Sequence, residues 1–326
     1  MADPLLQVKN LEIKYHTREG ILTAIHKASF DLNRGEILGV VGESGCGKST
    51  VAAAVMRLLP PNGEISGGQI LFRCQDLCPL NQEAMRKLRG KAMAMVFQDA
   101  MTSLNPVFTI EQQMIDAQKA QLSGDSQQLA GSLRQRAVEM LARVGIPEPA
   151  QRIKEYPHQF SGGMRQRIMI AMALLSNPDL LVADEPTSAL DVTLEAQILE
   201  LIARLRAELG TAMLYITHDL GVVARLCDRV MVMYAGNIVE SGQVYDIFDQ
   251  PKHPYTQALL RSHPSHSLRE NRLRTIRGRV PSLLELPVGC KFAPRCDLAR
   301  SICETAEPEF YHLDQHQVLC HAYGPA

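Results

Sequence analysis

Three glycines, a lysine and three hydroxyl residues lie close together in one short stretch of the sequence, GESGCGKST at residues 42–50. The spacing fits the pattern G-x-x-x-x-G-K-[ST], in which glycines let backbone amides point at phosphate oxygens. In such a loop the lysine reaches the β- and γ-phosphates of a nucleotide, and the next hydroxyl ligates Mg²⁺. We therefore predict a nucleotide site formed by Gly42, Glu43, Ser44, Gly45, Cys46, Gly47, Lys48, Ser49 and Thr50, with Ser49 as a magnesium ligand.

A second stretch, LLVADEPTSALD at residues 180–191, ends an apolar run in two acids. Asp184 is predicted at the carboxyl end of a strand, close to the Mg²⁺ of the nucleotide, and Glu185 follows where a base could polarise an attacking water. Taken alone, the pattern also describes a strand followed by an acidic helix N-cap. Beside a phosphate loop we favour the catalytic interpretation.

Strands and helices alternate around these motifs. The buried run at residues 37–41 precedes the glycine loop, and a helix is predicted from the loop to about Leu59, before Pro60-Pro61-Asn62-Gly63. Another helix should end at residue 209 with Gly210 as its C-cap, followed by a strand over residues 212–216. This alternation indicates the α/β class with a wound, mostly parallel sheet.

Composition narrows the possible partners and locations. The formal net charge of −1 provides no global attraction to nucleic acid or to an anionic membrane. The start of the chain lacks the pattern of a secretory signal, and no apolar run is long enough to span a bilayer. We expect a cytosolic protein, in which clustered cysteines indicate a metal or a reactive thiol more often than disulfides.

A third stretch, FSGGMRQR at residues 160–167, completes a recognisable set. With GESGCGKST, LLVADE and ITHD, it resembles the nucleotide-binding subunit of an ABC transporter, whose signature is L-S-G-G-Q. The sequence departs from that signature at Phe160 and Met164 but retains Ser161-Gly162-Gly163. A serine hydroxyl and glycine amides at a helix N-terminus can hold an anion. In the family they cap the γ-phosphate of ATP bound to the opposite subunit.

The resemblance implies roles for further residues. Tyr15 matches the aromatic residue that stacks on adenine, and Gln98 matches the glutamine that ligates Mg²⁺ or positions water. His218 matches the switch histidine that contacts the γ-phosphate, and Asp191 matches the aspartate that links the two ATP sites. Glu185, His218 and Gln98 are thus the expected catalytic residues, and ATP with Mg²⁺ is the expected substrate complex.

A finer resemblance concerns the cargo. QDAMTSLNP, YPHQFSGGMRQR, VMYAGNIVESG and HPYTQALL resemble stretches of the ATP-binding subunits of dipeptide/oligopeptide importers, with Ala100 where proline is common. The implied function is ATP hydrolysis that powers peptide import across the bacterial inner membrane; nickel, glutathione and antimicrobial peptides are alternative cargoes. The implied partners are a paralogous ATP-binding subunit, two membrane permease subunits and a periplasmic solute-binding protein. The implied location is peripheral, on the cytoplasmic face.

The predicted organisation is a nucleotide-binding domain at residues 5–258 and a small cysteine-rich extension at residues 259–326. The domain should contain a mostly parallel sheet core, an antiparallel β subdomain and a helical subdomain at about residues 99–175. A non-transport ABC ATPase is the less favoured alternative. Repair ATPases carry a long insertion that the spacing between Lys48 and Ser161 excludes, and ribosome-acting relatives fuse two cassettes. We therefore expect no nucleic-acid partner.

The extension concentrates four of the eight cysteines, at Cys290, Cys296, Cys303 and Cys320. Their spacing lacks the C-x2-C pairs of most zinc knuckles. Four thiolates suit either Zn²⁺ or an iron–sulfur cluster, and four unrelated buried thiols are the plain alternative. The tail resembles the C-terminal extension of peptide-importer ATPases, where such cysteines are associated with a [4Fe–4S] cluster, and we therefore predict that cluster.

Overall fold

The computed structural model describes residues 3–98, 103–120, 130–188, 190–262, 276–313 and 316–324. The chain divides into two compact units, Met1–Pro79 with Tyr215–Ala326 and Leu80–Leu214. The expected start of the helical subdomain at residue 99 and the departure at Ala100 fall outside the described residues.

The first unit begins with an antiparallel sheet and the glycine loop. Its elements in chain order are β1 (Leu6–Thr17), β2 (Gly20–Leu32), β3 (Ile37–Val41), α1 (Lys48–Val55), β4 (Gly63–Phe72) and β5 (Gln75–Asp76). Strands β2, β1, β4 and β5 pair in that order, as predicted for an antiparallel subdomain. β3 is buried along its whole length and leads directly into the loop at residues 42–47.

Helix α1 is shorter than the sequence suggested. It ends at Val55 rather than near Leu59. Arg57 takes a positive φ of 54°, and Leu58 N donates to Ala53 O at 2.7 Å while Arg57 N donates to Ala54 O at 2.9 Å. This is a Schellman motif, which terminates a helix by satisfying its last carbonyls. The local backbone stops the helix before the prolines are reached.

The second unit contains helices and a parallel pair of strands. Its elements are α2 (Gln82–Leu88), β6 (Met93–Val96), α3 (Ile110–Lys119), α4 (Ala130–Arg143), α5 (Pro149–Arg152), α6 (Gly162–Leu174), β7 (Leu180–Asp184) and α7 (Val192–Leu209). β6 and β7 pair in parallel, and β7 is fully buried. Gly210 ends α7 with φ 67°, as predicted. β8 (Ala212–Ile216) then carries the chain back to the first unit.

The remainder of the first unit completes a mixed sheet. Its elements are α8 (Leu220–Leu226), β9 (Arg229–Tyr234), β10 (Asn237–Gln243), α9 (Val244–Asp249), α10 (Pro254–Arg261), α11 (Ser301–Thr305), β11 (Phe310–Leu313) and β12 (His316–Leu319). Within this unit the strand order is β11-β12-β10-β9-β3. β3 and β9 are parallel, whereas β9, β10, β12 and β11 pair antiparallel.

The tail is part of this sheet. β12 pairs with β10, and a buried His316 Nε2–Glu240 Oε1 contact of 2.5 Å joins the two strands. Tyr323 Oη donates to Lys252 O at 3.1 Å. The described residues of the tail therefore lie in the same compact unit as β3 and the glycine loop, and the domain boundary after residue 258 stays a prediction.

Candidate functional site

The glycine loop depends on two glycines that no other residue could replace without rearrangement. Gly42 has φ 154°, and a Cβ there would lie 2.2 Å from Met233 O. Gly47 has φ 104°, and a Cβ there would lie 2.6 Å from Ile25 Cδ1. Positive φ values of this kind are strained for residues with a Cβ. The tight curl turns the loop from β3 into the N-terminus of α1, where helix dipole and free amides favour anions.

Lys48 lies within the curl of the loop. Its side chain is buried, and Nζ donates to Gly42 O at 2.8 Å and to Glu43 O at 3.1 Å. Ser49 is exposed on the first turn of α1. Cys46 is fully buried, and burial raises the pKa of its thiol. A buried protonated thiol fills space in the loop and provides no nucleophile.

Tyr15 lies beside the same helix. Its hydroxyl donates to Thr50 Oγ1 at 3.4 Å. Its ring packs against Gly63, where an added Cβ would lie only 2.6 Å from Tyr15 Cε1. The ring is half-buried. An aromatic face next to a phosphate-binding loop is suited to stacking on a nucleotide base, the role predicted from the sequence.

Glu43 is held by residues far away in the sequence. Its backbone N–H donates to Tyr255 Oη at 2.9 Å, and its carboxylate accepts two hydrogen bonds from Arg295, at 2.6 and 3.0 Å. The hydrogen bond with Glu43 is the main cause of a raised pKa of Arg295. The sequence indicates neither Tyr255 nor Arg295 as a partner of Glu43, because a single arginine in an arginine-rich tail carries no local signal of a contact with the loop.

His218 follows β8 at the edge of the first unit. Thr217 N donates to Val40 O at 3.1 Å, so the chain here runs beside the end of β3 that leads into the glycine loop. His218 is exposed, and Asp219 caps the next helix by accepting from Gly221 N at 2.6 Å. His218 therefore lies two residues after β8, between Thr217, which is hydrogen-bonded to β3, and Asp219, which caps α8.

In the second unit, two predicted catalytic residues contact each other. Gln98 Nε2 donates to Glu185 Oε2 at 3.2 Å. Asp184 ends β7 and is buried, and Glu185 follows it with a positive φ of 47°. Such a backbone conformation is uncommon for glutamate. The amide and the carboxylate together could hold a water molecule.

Ser161 and Asp191 are both helix N-caps in the second unit. Ser161 Oγ accepts from Met164 N at 3.4 Å at the start of α6, and Asp191 Oδ1 accepts from Leu194 N at 3.0 Å at the start of α7. Gly162 and Gly163 form the first turn of α6, and a Cβ on Gly163 would lie 3.2 Å from Leu194. The first backbone amides of any helix have no partner within the helix, so the start of α6 can offer N–H groups to an anion.

The two departures from the signature share one neighbour. The guanidinium of Arg152 lies 4.7 Å from the ring centroid of Phe160, and its Nη1 lies 3.6 Å from Met164 Sδ. Cation–π and sulfur contacts of this kind are modest individually. The substitutions thus form a packed cluster beside Ser161 and leave the serine at its cap position.

The four cysteines of the tail surround one small cavity. Cys290, Cys296, Cys303 and Cys320 line it together with Phe292, and its volume is about 30 Å³. Cys290 N donates to Cys303 O at 2.8 Å, which joins the first and third cysteine segments. Burial raises the pKa of Cys290 to about 11 and raises the pKa values of Cys296 and Cys320. Neighbouring cysteines add to each of these shifts.

This arrangement bears on which group the thiols could hold. In the described part of the chain, no three His, Cys, Asp or Glu side chains are close enough together to ligate a single metal ion. Zn²⁺ requires every sulfur at about 2.3 Å from one point. A cluster of several iron atoms binds each thiolate at a different iron and so accepts more widely spaced sulfurs. Among the described residues the four thiols thus form no ready ligand group, and the [4Fe–4S] cluster stays a prediction.

Comparison with known proteins agrees with these features. Residues 25–188 match the family model described as ABC transporter, and residues 239–303 match the model described as oligopeptide/dipeptide transporter, C-terminal region. A dipeptide transport ATP-binding protein, DppD of Bacillus subtilis, is 47% identical over 98% of this chain and 94% of its own length. An oligopeptide transport ATP-binding protein, OppD of Haemophilus influenzae, is 48% identical, with 93% of each chain covered.

Solved structures show the same fold. A dimeric ATP-binding cassette, MJ0796, in a post-hydrolysis state with ADP and Pi superposes with a TM-score of 0.65 at 27% identity, over 73% of this chain and 98% of that chain. The cassette cbiO1 of Clostridium perfringens superposes with a TM-score of 0.63, also at 27% identity, over 76% of this chain and 92% of that chain. The predicted fold class, an α/β P-loop cassette with an extension, is confirmed.

In the described residues no helix is both long and apolar enough to cross a membrane. The glycine loop, the acids at the end of β7 and the capped S-G-G turn all lie where the sequence motifs predicted them. Together with the match to the cassette model and close relatives over nearly the whole length, they assign the protein: the chain belongs to the ABC transporter family, in the group that carries the oligopeptide/dipeptide transporter C-terminal region.

Proposed function

We propose that the chain is the ATP-hydrolysing motor subunit of an importer that carries peptides across the bacterial inner membrane. One observation carries the proposal: the cassette match and the peptide-transporter C-terminal match occur in a single chain. Relatives named for dipeptide and oligopeptide transport support peptides over nickel, glutathione or antimicrobial peptides as the cargo. Membership of this family confirms the predicted ATPase class.

The proposed roles of the site residues follow from their chemistry. Lys48 binds the β- and γ-phosphates, while Ser49 and Asp184 ligate Mg²⁺, which offsets phosphate charge when bound. Glu185 accepts a proton from the attacking water, and Gln98, which donates to Glu185 in the structure, orients that water. Tyr15 stacks on the adenine, and His218 contacts the γ-phosphate.

The proposed working unit contains two ATP-binding subunits. Ser161, Gly162 and Gly163 of one subunit cap the γ-phosphate on the other, and Asp191 links the two sites. We infer a paralogous second ATPase, two membrane permease subunits and a periplasmic solute-binding protein as the remaining partners. The chain then works as a peripheral subunit on the cytoplasmic face of the membrane, and ATP binding and hydrolysis close and reopen the pair.

The proposal is tested by reconstituting the chain with its permease and partner ATPase in proteoliposomes. A peptide-loaded solute-binding protein should stimulate ATP hydrolysis, whereas the same binding protein loaded with nickel or glutathione should not. Double-stranded DNA and ribosomes provide the controls for the non-transport alternative. Stimulation by either control, without stimulation by peptide, would contradict the proposal.

Ser161→Ala should leave ATP affinity of the isolated subunit within about twofold of wild type, because this hydroxyl serves the ATP on the partner. In the assembled transporter it should abolish ATP-driven closure and transport. Loss of the N-cap itself costs about 1 kcal/mol, and Asn81→Ala is the matched control, since Asn81 Oδ1 caps α2 by accepting from Ala84 N at 2.9 Å. Equal loss of ATP affinity in the isolated Ser161 variant would contradict the sandwich arrangement.

For the tail, we propose that Cys290, Cys296, Cys303 and Cys320 hold a [4Fe–4S] cluster. All four cysteines line one small cavity, so the fold brings their side chains to the same part of the tail. When bound, the cluster supplies four iron–thiolate bonds that cross-link the tail. Between α10 and β11, the described residues of the tail contain little helix and no strand. Cross-links of this type stabilise small segments that have too little apolar core.

Protein purified anaerobically should be brown, with broad absorption near 400 nm and roughly four iron atoms and four sulfides per chain. Cys320→Ser should lower the iron content, because it removes one of the four ligands. Cys74→Ser is the matched control, since Cys74 is an exposed cysteine in the turn between β4 and β5. Colourless protein with one zinc per chain would assign the alternative metal, and metal-free protein with an ordered tail would contradict both.

A further inference from the structure

One ion pair joins the cysteine tail to the nucleotide loop. Arg295 Nη1 and Nη2 donate to the two carboxylate oxygens of Glu43 at 2.6 and 3.0 Å. The Arg295 side chain is 4% exposed and that of Glu43 is 29% exposed. Glu43 is the second residue of the glycine loop, and Arg295 directly precedes Cys296. A bidentate pair with one partner buried is geometrically specific and is screened little by salt.

The arginine itself is held rigidly. Its Nε donates to Arg277 O at 2.7 Å, and its Nη1 also donates to Tyr234 Oη at 3.3 Å. The guanidinium lies 5.6 Å from the ring centroid of Tyr234 and 6.0 Å from that of Phe292. Each donor group is directed at a particular partner, so the tail presents the guanidinium to Glu43 in one orientation.

The tail and α10 also fix the backbone of Glu43. Tyr255 Oη accepts from Glu43 N at 2.9 Å, and the Tyr255 ring packs against Phe292 with centroids 5.4 Å apart. The Tyr234 ring packs against the same Phe292 ring, with ring centroids 5.2 Å apart. The aromatic group of Tyr234, Tyr255 and Phe292 thus links the loop to the segment between the first two cysteines of the tail.

The charge at this position matters to the ligand. A carboxylate inside a loop that receives a triphosphate repels it, and a charge left unpaired in a partly buried position is costly. We propose that Arg295 is a positioning residue of the ATP site, which holds and neutralises the Glu43 carboxylate so that the loop accepts the triphosphate. This inference rests on the proposed function, in which the loop at residues 42–50 binds ATP.

The proposal predicts a specific pattern among variants of the full chain, measured as the Kd for MgATP by titration calorimetry. Arg295→Met retains the apolar stem but leaves Glu43 unneutralised, and should weaken binding about tenfold, as expected for loss of a charge-assisted pair. Adding Glu43→Gln to Arg295→Met should restore the Kd to within about twofold of wild type, because the repelling charge is then gone.

Two controls separate this role from a structural one. Arg277→Met removes an exposed pair with Asp297, with Nη1 to Oδ1 at 3.4 Å, from the same tail and should leave the Kd unchanged. Hydrogen exchange of residues 289–319 reports whether the tail remains folded in each variant. A merely structural role of Arg295 predicts that the Glu43→Gln addition gives no rescue.

The outcomes are decisive in both directions. Weaker binding by Arg295→Met, with rescue in the double variant, supports the proposal. Wild-type affinity in Arg295→Met, or weak binding that Glu43→Gln does not rescue, overturns it. Lys48→Ala in the same titration tests the proposed ATP site separately: if that variant binds ATP as tightly as wild type, the assignment of the loop fails, whatever the Arg295 variants do.

Discussion

Glu185→Gln should bind ATP with wild-type affinity and lose at least about a hundredfold in turnover, the usual scale for removing a general base. The amide has the same shape as the carboxylate and can still pair with Gln98, whose Nε2 lies 3.2 Å from Glu185 Oε2 in the native protein. It cannot accept a proton from water. This single change should therefore lower the rate of ATP hydrolysis without changing the affinity for ATP.

The backbone at this position makes glutamine the appropriate replacement. Glu185 has φ 47°, and glutamine tolerates that conformation no worse than glutamate does, so the change adds no strain. Glu200→Gln, the same chemical change at an exposed position on α7, is the matched control. Phosphate release by the assembled transporter is the measurement. Wild-type turnover by Glu185→Gln would show that another group is the base.

Lys48→Ala should weaken ATP binding by roughly tenfold to a hundredfold, the value of one or two charge-assisted hydrogen bonds. In the structure Nζ donates to Gly42 O and Glu43 O at 2.8 and 3.1 Å. The ammonium group is thus kept inside the curl of the loop, within reach of a phosphate. Alanine removes both the positive charge and the donors that hold the two carbonyls.

The measurement is equilibrium binding of MgATP to the isolated subunit, with thermal unfolding in parallel. Loss of the two loop hydrogen bonds should lower stability slightly, so affinity is compared at a temperature well below unfolding. Lys9→Ala, an exposed lysine on β1 in the same unit, is the matched control. If Lys48→Ala and Lys9→Ala bind ATP equally, the loop is not the nucleotide site.

Sequence alone was sufficient where the chemistry depends on neighbours in the chain. The glycine loop, the two acids at the end of β7 and the S-G-G turn are each encoded within about one helical turn or one strand end, so residue type and spacing predict their backbone. The same is true of Gly210, whose positive φ ends α7 as predicted. The family assignment followed from the order of these local motifs.

Local sequence was less reliable for the end of a helix. Helix α1 ends at Val55 because Arg57 adopts a left-handed conformation in a Schellman motif. Arginine is not a usual residue for that position, so the sequence pointed instead to the prolines after residue 59. The domain boundary after residue 258 rests on a change in composition and stays a prediction, and the structure adds that β12 of the tail pairs with β10.

Tertiary structure alone decided which distant residues contact the site. Arg295 contacts Glu43 although the two positions are 252 apart in the sequence. Tyr255 accepts a hydrogen bond from the backbone amide of Glu43. Long-range pairing of this kind depends on how a mixed sheet places its edges and on which aromatic rings pack together, and no local pattern in a single sequence records it. The four cysteines illustrate both cases: their number and spacing are visible in the sequence, but that they line one cavity follows from the fold, because strand pairing and the Cys290–Cys303 backbone bond bring their segments together.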